Sequence, residues 1–316
     1  MTPSPAVDFY NHRRSGQSVV MASPTGSPID GVVLDHVAHA VPRWQDVWNR
    51  YAVDLGAVWN SGGPGPGFAP AQLRFANSAR VEVLMPNDVE VNDFLARFLA
   101  ANGPGPHHLT FKVPDLAGAL DQVRAAGFDP VGIDLSHPEW LEAFLHPKQA
   151  TGVVVQLAEA PVPWSSPPPP DFPVGYRRRS DGSGPVPPGA LRWVSHAVAD
   201  LDGAVSLFTG LLGGVAVGEG SLDGVRWIEL SWSGPLGLRL LAPVDGRPST
   251  PLGTWLAGRP GRVHHLDFSA AEPEGIAGAV PTEDHLAMAG SDTGLAAWEV
   301  PPQDNGGLRL VVRPQG

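Results

Sequence analysis

Two segments, LDHVAHAV (34–41) and GPHHLTFKV (105–113), return in altered form as WVSHAVADL (193–201) and RVHHLDFSA (262–270). His36 and His108 lie 72 residues apart, and His196 and His265 lie 69 apart. Each His-His-Leu follows a short amphipathic segment, NDFLARFLAANG (92–103) in one half and PLGTWLAGRPG (251–261) in the other. Self-similarity at this scale is the mark of a duplicated structural unit, so the repeat decides the fold before any single motif does.

Inside the first unit the plan itself runs twice. A strand over 34–41 leads into a helix near 43–56, where Trp44, Val47, Trp48, Tyr51 and Leu55 fall on one face at helical spacing. Shorter alternating segments follow, broken by SGGPGPG (61–67). The plan restarts with a strand at 107–113, then a helix capped by Asp115 and stopped at Gly127. Strands near 130–133, 141–146 and 152–158 complete it. The expected class is α+β, with each unit made of two strand–helix–strand–strand–strand modules.

Composition supports two units and bounds what they can do. The chain has 316 residues, enough for about two domains at roughly 150 residues each. The Pro-, Ser- and Gly-rich stretch 1–29 reads as a flexible arm, and 161–189, with four consecutive prolines, as a semi-rigid spacer. The folded blocks are then 30–160 and 190–316. A net charge of -11 argues against nucleic acid, and the short run Arg177–Arg179 reads as a solvated cluster. There is no cysteine, so any metal must be held by His, Asp, Glu or Gln. No apolar run is long enough to span a membrane, and no secretory signal opens the chain, which places it in the cytoplasm.

Successive strand residues point to opposite faces. In 107–113, Leu109, Phe111 and Val113 take the core side with His107, so His108 points to the open, polar side. Val81, Val83 and Met85 face the core, putting Glu82 opposite; Val153, Val155 and Leu157 do the same for Gln156. On the first strand Asp35, Val37, His39 and Val41 share one side. His36 takes the other with Ala38 and Ala40, whose small size leaves room beside it. His36, Glu82, His108 and Gln156 thus occupy the non-core face of four different strands. Two imidazoles, a carboxylate and an amide oxygen suit one divalent ion, Zn, Fe, Co, Ni or Mn.

At these residues the chain resembles the vicinal oxygen chelate superfamily, which includes glyoxalase I, extradiol dioxygenases and methylmalonyl-CoA epimerase. The carrying segments are LDHVAHAV, VEVLMP (81–86), GPHHLTFKV and FLHPKQATGVVVQL (144–157), and they are most similar to the epimerase branch. The resemblance implies tandem domains, each of two βαβββ modules forming a curved sheet around a metal. It also implies that His36, Glu82, His108 and Gln156 take the four ligand positions. One departure matters: the epimerase pattern has Gln second and Glu fourth, the reverse of Glu82 and Gln156. That family's other acid/base glutamate falls near Gln72, read here as substrate-binding. Glutamine cannot shuttle protons, which leaves one-base chemistry with Glu82 as ligand and base.

In the second unit the matching positions are read as His196, Arg239, His265 and Arg309. A guanidinium is always charged and only donates, so it cannot ligate a metal. Arg239 and Arg309 are expected either to clamp a substrate carboxylate or phosphate or to pair internally with Glu229, Asp267 or Glu299. His39 and His107 read as structural, His137 and His146 as loop residues that could reach a substrate but are usually inert, and Trp227, Trp232 and Trp298 as candidates to line a cavity. The expectation is a metal-dependent lyase or isomerase acting on a small oxygenated metabolite, as a monomer or homodimer. The alternatives are a non-heme Fe(II) oxygenase and a non-catalytic small-molecule binder.

Overall fold

Sixteen strands form two sheets of eight in a computed structural model that describes residues 27–244, 249–292 and 294–315. In the first unit β1 (Val33–Ala40), β2 (Val58–Gly62), β3 (Gly67–Arg74) and β4 (Arg80–Asn87) form one module. Strands β5 (Gly105–Lys112), β6 (Val131–Asp134), β7 (Leu141–Leu145) and β8 (Val154–Glu159) form the next. The second unit repeats them as β9 (Ala190–Val198), β10 (Val215–Leu222), β11 (Val225–Ser231), β12 (Gly237–Pro243), β13 (Gly261–Ala270), β14 (Val280–Pro281), β15 (Trp298–Val300) and β16 (Leu310–Pro314). The sheet orders are β2-β3-β4-β1-β5-β8-β7-β6 and β10-β11-β12-β9-β13-β16-β15-β14, the second being the first with eight added to every number. This is the α+β tandem of curved sheets that the repeat predicts.

The order explains how a site is made. In each module the first strand pairs in parallel with the last, β1 with β4 and β5 with β8. The two first strands then pair antiparallel at the sheet centre. Strands β4, β1, β5 and β8 are therefore consecutive, and they carry Glu82, His36, His108 and Gln156.

The helix expected near 43–56 is α1 (Gln45–Trp48) continuing as a wider π-helical segment over Asn49–Asp54. Its apolar face is as predicted, with Trp44, Val47, Trp48, Tyr51 and Leu55 all buried, each such side chain contributing roughly 1.5–3 kcal/mol. Helix α2 (Phe94–Asn102) precedes β5. Helix α3 (Leu116–Ala125) has the Asp115 carboxylate accepting from Gly118 N at its start, and Gly127 beyond its end takes φ +85°, open to glycine without strain. In the second unit α4 (Leu201–Val205) continues into a π-helical segment over Ser206–Leu211, and α5 (Pro251–Leu256) precedes β13. One apolar core runs through both units, with Phe75 on Phe268 at 5.0 Å and Phe111 on Trp232 at 5.2 Å between ring centroids.

Two expectations about the connecting segments change. Residues 1–26 of the expected arm lie outside the described residues, but Ile29 is buried and donates its N–H to Leu211 O across the units. The proline-rich stretch is laid onto both units rather than merely spacing them: Phe172 packs on Trp48 and Trp59, and Ser166 bonds both backbone groups of Gly62. Arg177 is not part of a solvated cluster, since it donates to Ala271 O and Glu272 O.

Candidate metal centre

The parity argument places four side chains on one face, and the strand order brings them together. His36 Nε2 lies 3.6 Å and His108 Nε2 3.5 Å from the same oxygen of Glu82, Oε2. One atom from each of the three residues falls within 4.8 Å of the others. Gln156 joins through Thr110, whose hydroxyl lies 2.5 Å from Gln156 Oε1 and 2.9 Å from His36 Nε2. None of the four faces open solvent: His36 is 0 % exposed and the rest are nearly as buried. The polar side on which the sequence placed His108 is thus an enclosed hollow. The room expected beside Ala38 and Ala40 is taken by Leu95 and Phe98 of α2.

The hydrogen bonds prepare both histidines as ligands. His36 Nδ1 stands 2.8 Å from Asp35 Oδ2; a carboxylate only accepts, so Nδ1 carries a proton and orients the ring, with Nε2 on the side of Thr110 and Glu82. Asp35 in turn bonds Arg80 and lies 3.5 Å from Lys112. Burial alone would raise its pKa, but His36, Arg80 and Lys112 outweigh burial and lower it to about 2. Sequence parity put Asp35 on the core side and missed this role. The β1–β5 register slips between Leu34 and His36, which lets Leu34 and Val37 both face the core. His108 Nδ1 meets His107 Nδ1 at 2.8 Å, while its Nε2 is buried and makes no hydrogen bond among the described residues.

An orphaned, buried imidazole nitrogen beside a second imidazole and a carboxylate fits a divalent cation. Burial lowers the pKa of His36, yet Glu82 and Asp35 overcome it and raise it to about 9, whereas burial and the two neighbouring histidines hold His108 well below its ordinary value. Gln72, opposite Glu82 in the β3–β4 register, donates from Nε2 to Glu82 Oε1 at 3.4 Å. The sequence reading missed Glu142 on β7, whose Oε2 accepts from Gln156 Nε2 at 2.7 Å and from Trp140 Nε1 at 2.9 Å. Burial, then the charge of Glu82, raises its pKa.

In the second unit the registers correct two assignments. The two His-His-Leu segments align His108 with His265, and Leu109 pairs with Val37 as Leu266 pairs with Val194. His36 therefore corresponds to Trp193, and His196 corresponds to His39. The spacing held this signal, because His39 to His108 is 69 residues, the same as His196 to His265. Likewise Thr110 pairs with Gln156 where Asp267 pairs with Val311, so the fourth position is Val311 and not Arg309. Arg239 does match Glu82, opposite Glu229 as Glu82 is opposite Gln72.

Arg239 is wholly buried and donates to Glu229 at 2.9 Å, Asp267 at 2.7 Å and Asp292 at 3.0 Å. Arg309 bonds Asp284 at 2.5 Å and also Glu299. Both guanidiniums pair with the chain's own carboxylates, the internal alternative, rather than standing free for a substrate clamp. These residues do not fit a metal. Of the tryptophans, Trp232 bonds Leu212 O and packs half-buried against the core, Trp227 is buried, and Trp298 borders a cavity with Leu222 and Leu295.

Residues 35–139 match the family model described as "Glyoxalase/Bleomycin resistance protein/Dioxygenase superfamily". Over these residues the chain is similar to this superfamily. Among curated proteins, the chain is similar to human mitochondrial methylmalonyl-CoA epimerase, 28% identical over 170 residues that span 49% of this chain and 94% of that protein. Among solved structures, a variant of 4-hydroxymandelate synthase from Streptomyces coelicolor aligns over 90% of this chain and 94% of its own, with a TM-score of 0.60 and 14% identity. That likeness shows that the tandem fold extends across both units. Methylmalonyl-CoA epimerase from Mycobacterium tuberculosis aligns over 43% of this chain and 91% of its own, at 28% identity and a TM-score of 0.38.

Proposed function

We propose that the first unit is a metal-dependent, glyoxalase-like lyase or isomerase acting on a small oxygenated metabolite through an enolate-like charge. The observation that carries this reading is the convergence of His36 Nε2, His108 Nε2 and Glu82 Oε2 in one buried hollow. His36 and His108 would be the fixed ligands, Glu82 the anionic ligand and Gln156 a weak, displaceable fourth. The ion would supply Lewis acidity toward a substrate carbonyl. Glu82 is divided between two duties, with Oε2 turned to the histidines and Oε1 toward Gln72. A carboxylate so placed can accept the proton α to the carbonyl, and the amide of Gln72 can hold a substrate oxygen but cannot return a proton.

A coenzyme A thioester is the first substrate to try, because the human relative is named for one. The paired modules within one chain favour a monomer or homodimer. No helix among the described residues is long and apolar enough to cross a membrane, and the acidic net charge of -11 disfavours nucleic acid; a cytoplasmic setting goes with this reading.

The test is metal content by elemental analysis, with turnover of 2-substituted acyl thioesters and α-keto hemithioacetals. His36→Ala and His108→Ala should each remove metal and turnover, while His265→Ala leaves metal content unchanged. If the first two leave both unchanged, the reading is wrong. A two-His, one-carboxylate set also suits non-heme Fe(II), so turnover that needs dioxygen and added Fe(II) would move the assignment to an oxygenase. A wild-type chain purified without chelators that holds no metal would move it to a small-molecule binder.

A further inference from the structure

The amide of Gln156 has two chemically different ends. Its oxygen can ligate a cation, its NH2 cannot, and rotation by half a turn exchanges them. Two neighbours settle which end faces the hollow. The Glu142 carboxylate only accepts, and it takes a hydrogen bond from Gln156 Nε2 at 2.7 Å. At the other end the Thr110 hydroxyl donates to Gln156 Oε1 at 2.5 Å, beside His36 Nε2. Glu142 is held in turn by Trp140 Nε1 at 2.9 Å. Strand register puts Glu142 diagonal to Gln156 on the same sheet face, since Phe144 is the direct partner of Gln156 and Glu142 that of Ala158.

The second unit supplies an internal comparison. Glu299 pairs with Val311 as Phe144 pairs with Gln156, so the place of Glu142 falls to Ala297. Ala297 and Val311 are both buried and pack in one apolar cluster. Where the metal set is lost, the carboxylate and the amide are lost together.

We propose that Glu142 is a positioning residue that presents Gln156 to the metal through its oxygen. Glu142 and Gln156 then act as one acceptor–donor pair, and a carboxylate beside position 156 is the reason that position carries an amide. The inference rests on the metal-site reading above. It also accounts for the order of Glu82 and Gln156: a glutamate at 156 would set two carboxylates against each other.

The experiment is Co(II) titration of the full chain, reading affinity by chelator competition and coordination by the visible absorption spectrum. Glu142→Leu should weaken Co(II) by roughly 10–100-fold and change the spectrum to that of Gln156→Leu. Glu142→Gln should keep the wild-type spectrum, because its amide oxygen can still accept from Gln156. Gln156→Glu alone should lose affinity, and Gln156→Glu combined with Glu142→Gln should regain it. This near-isosteric exchange decides the matter if Glu142→Leu does not fold. Overturning results are a wild-type spectrum in Glu142→Leu, a loss in Glu142→Gln equal to that in Glu142→Leu, or no recovery in the exchanged pair. A wild-type chain that takes up no Co(II) overturns the metal-site reading and this inference with it.

Discussion

The two hollows share a backbone plan and solve the problem of buried charge in opposite ways. In the first, Glu82 stands between two imidazoles, and its nearest polar neighbour on the sheet is the neutral Gln72. In the second, the position of Glu82 is Arg239, that of Gln72 is Glu229, that of Thr110 is Asp267, and that of His36 is Trp193, whose ring lies 5.6 Å from the guanidinium. The cation that the first hollow would take from solution is supplied in the second by the chain. A buried anion needs a partner or a proton, and the two hollows of like strand order meet that need in different ways.

This contrast can be broken at its strongest point. Arg239→Ala leaves Glu229 and Asp267 buried without their shared partner and should cost about 3–5 kcal/mol, read as a fall in the urea midpoint. Arg239→Lys should recover little, since one ammonium cannot copy a guanidinium fork across three carboxylates. Next come two glycines that meet the other unit reciprocally. A Cβ on Gly307 (φ +78°) would strike Pro104 O, and one on Gly152 (φ +87°) would strike Gly261. Alanine at either should cost on the order of 1–3 kcal/mol from backbone strain alone. Near-equal losses in denaturation would show that the contact is as symmetric in energy as in geometry.

Smaller effects sharpen the same comparison. Asp35→Asn should weaken metal binding in the first unit by roughly 10–100-fold in a chelator competition, and should also lower the urea midpoint at neutral pH, because it removes a carboxylate that His36, Arg80 and Lys112 hold below its ordinary pKa. The pair His39 and His196 should show itself in pH dependence. His39 Nε2 lies 2.7 Å from Gly306 O and His196 Nε2 3.0 Å from Thr151 O, each bond crossing to the other unit. Burial lowers both pKa values to about 4 against these bonds. The unfolded chain therefore binds the protons more readily, near pH 6.5. Stability that is full above about pH 6.5 is lost as pH falls toward 4, by about 1.4 kcal/mol per pH unit for each histidine. Replacing either with Leu should flatten the slope of stability against pH between these limits; an unchanged slope would assign the acid sensitivity elsewhere.

How legible this was differs by residue. Alternation in strands gave the common face of His36, Glu82, His108 and Gln156, because a strand's period of two is local and survives tertiary packing. Alternation failed at Asp35, where a register slip lets the chain gain a residue, and at His196, where a similar motif was aligned three residues out. Arg309 was misplaced by two residues for the same reason, since the loop before β16 differs in length from the one before β8. Glu142 carried no motif. Its role depends on β7 lying next to β8, which is a property of strand order.

By itself the sequence determined the duplication, the α+β modules, the helix faces and the residue types available to a cation. All of these follow from spacing and side-chain chemistry along the chain. Only the tertiary structure decided which residues face one another across strands, that α2 packs on Ala38 and Ala40 beside the site, and that the second hollow holds its own guanidinium. Those outcomes come from pairing between segments far apart in the chain, where a one-residue shift in register exchanges one face for the other.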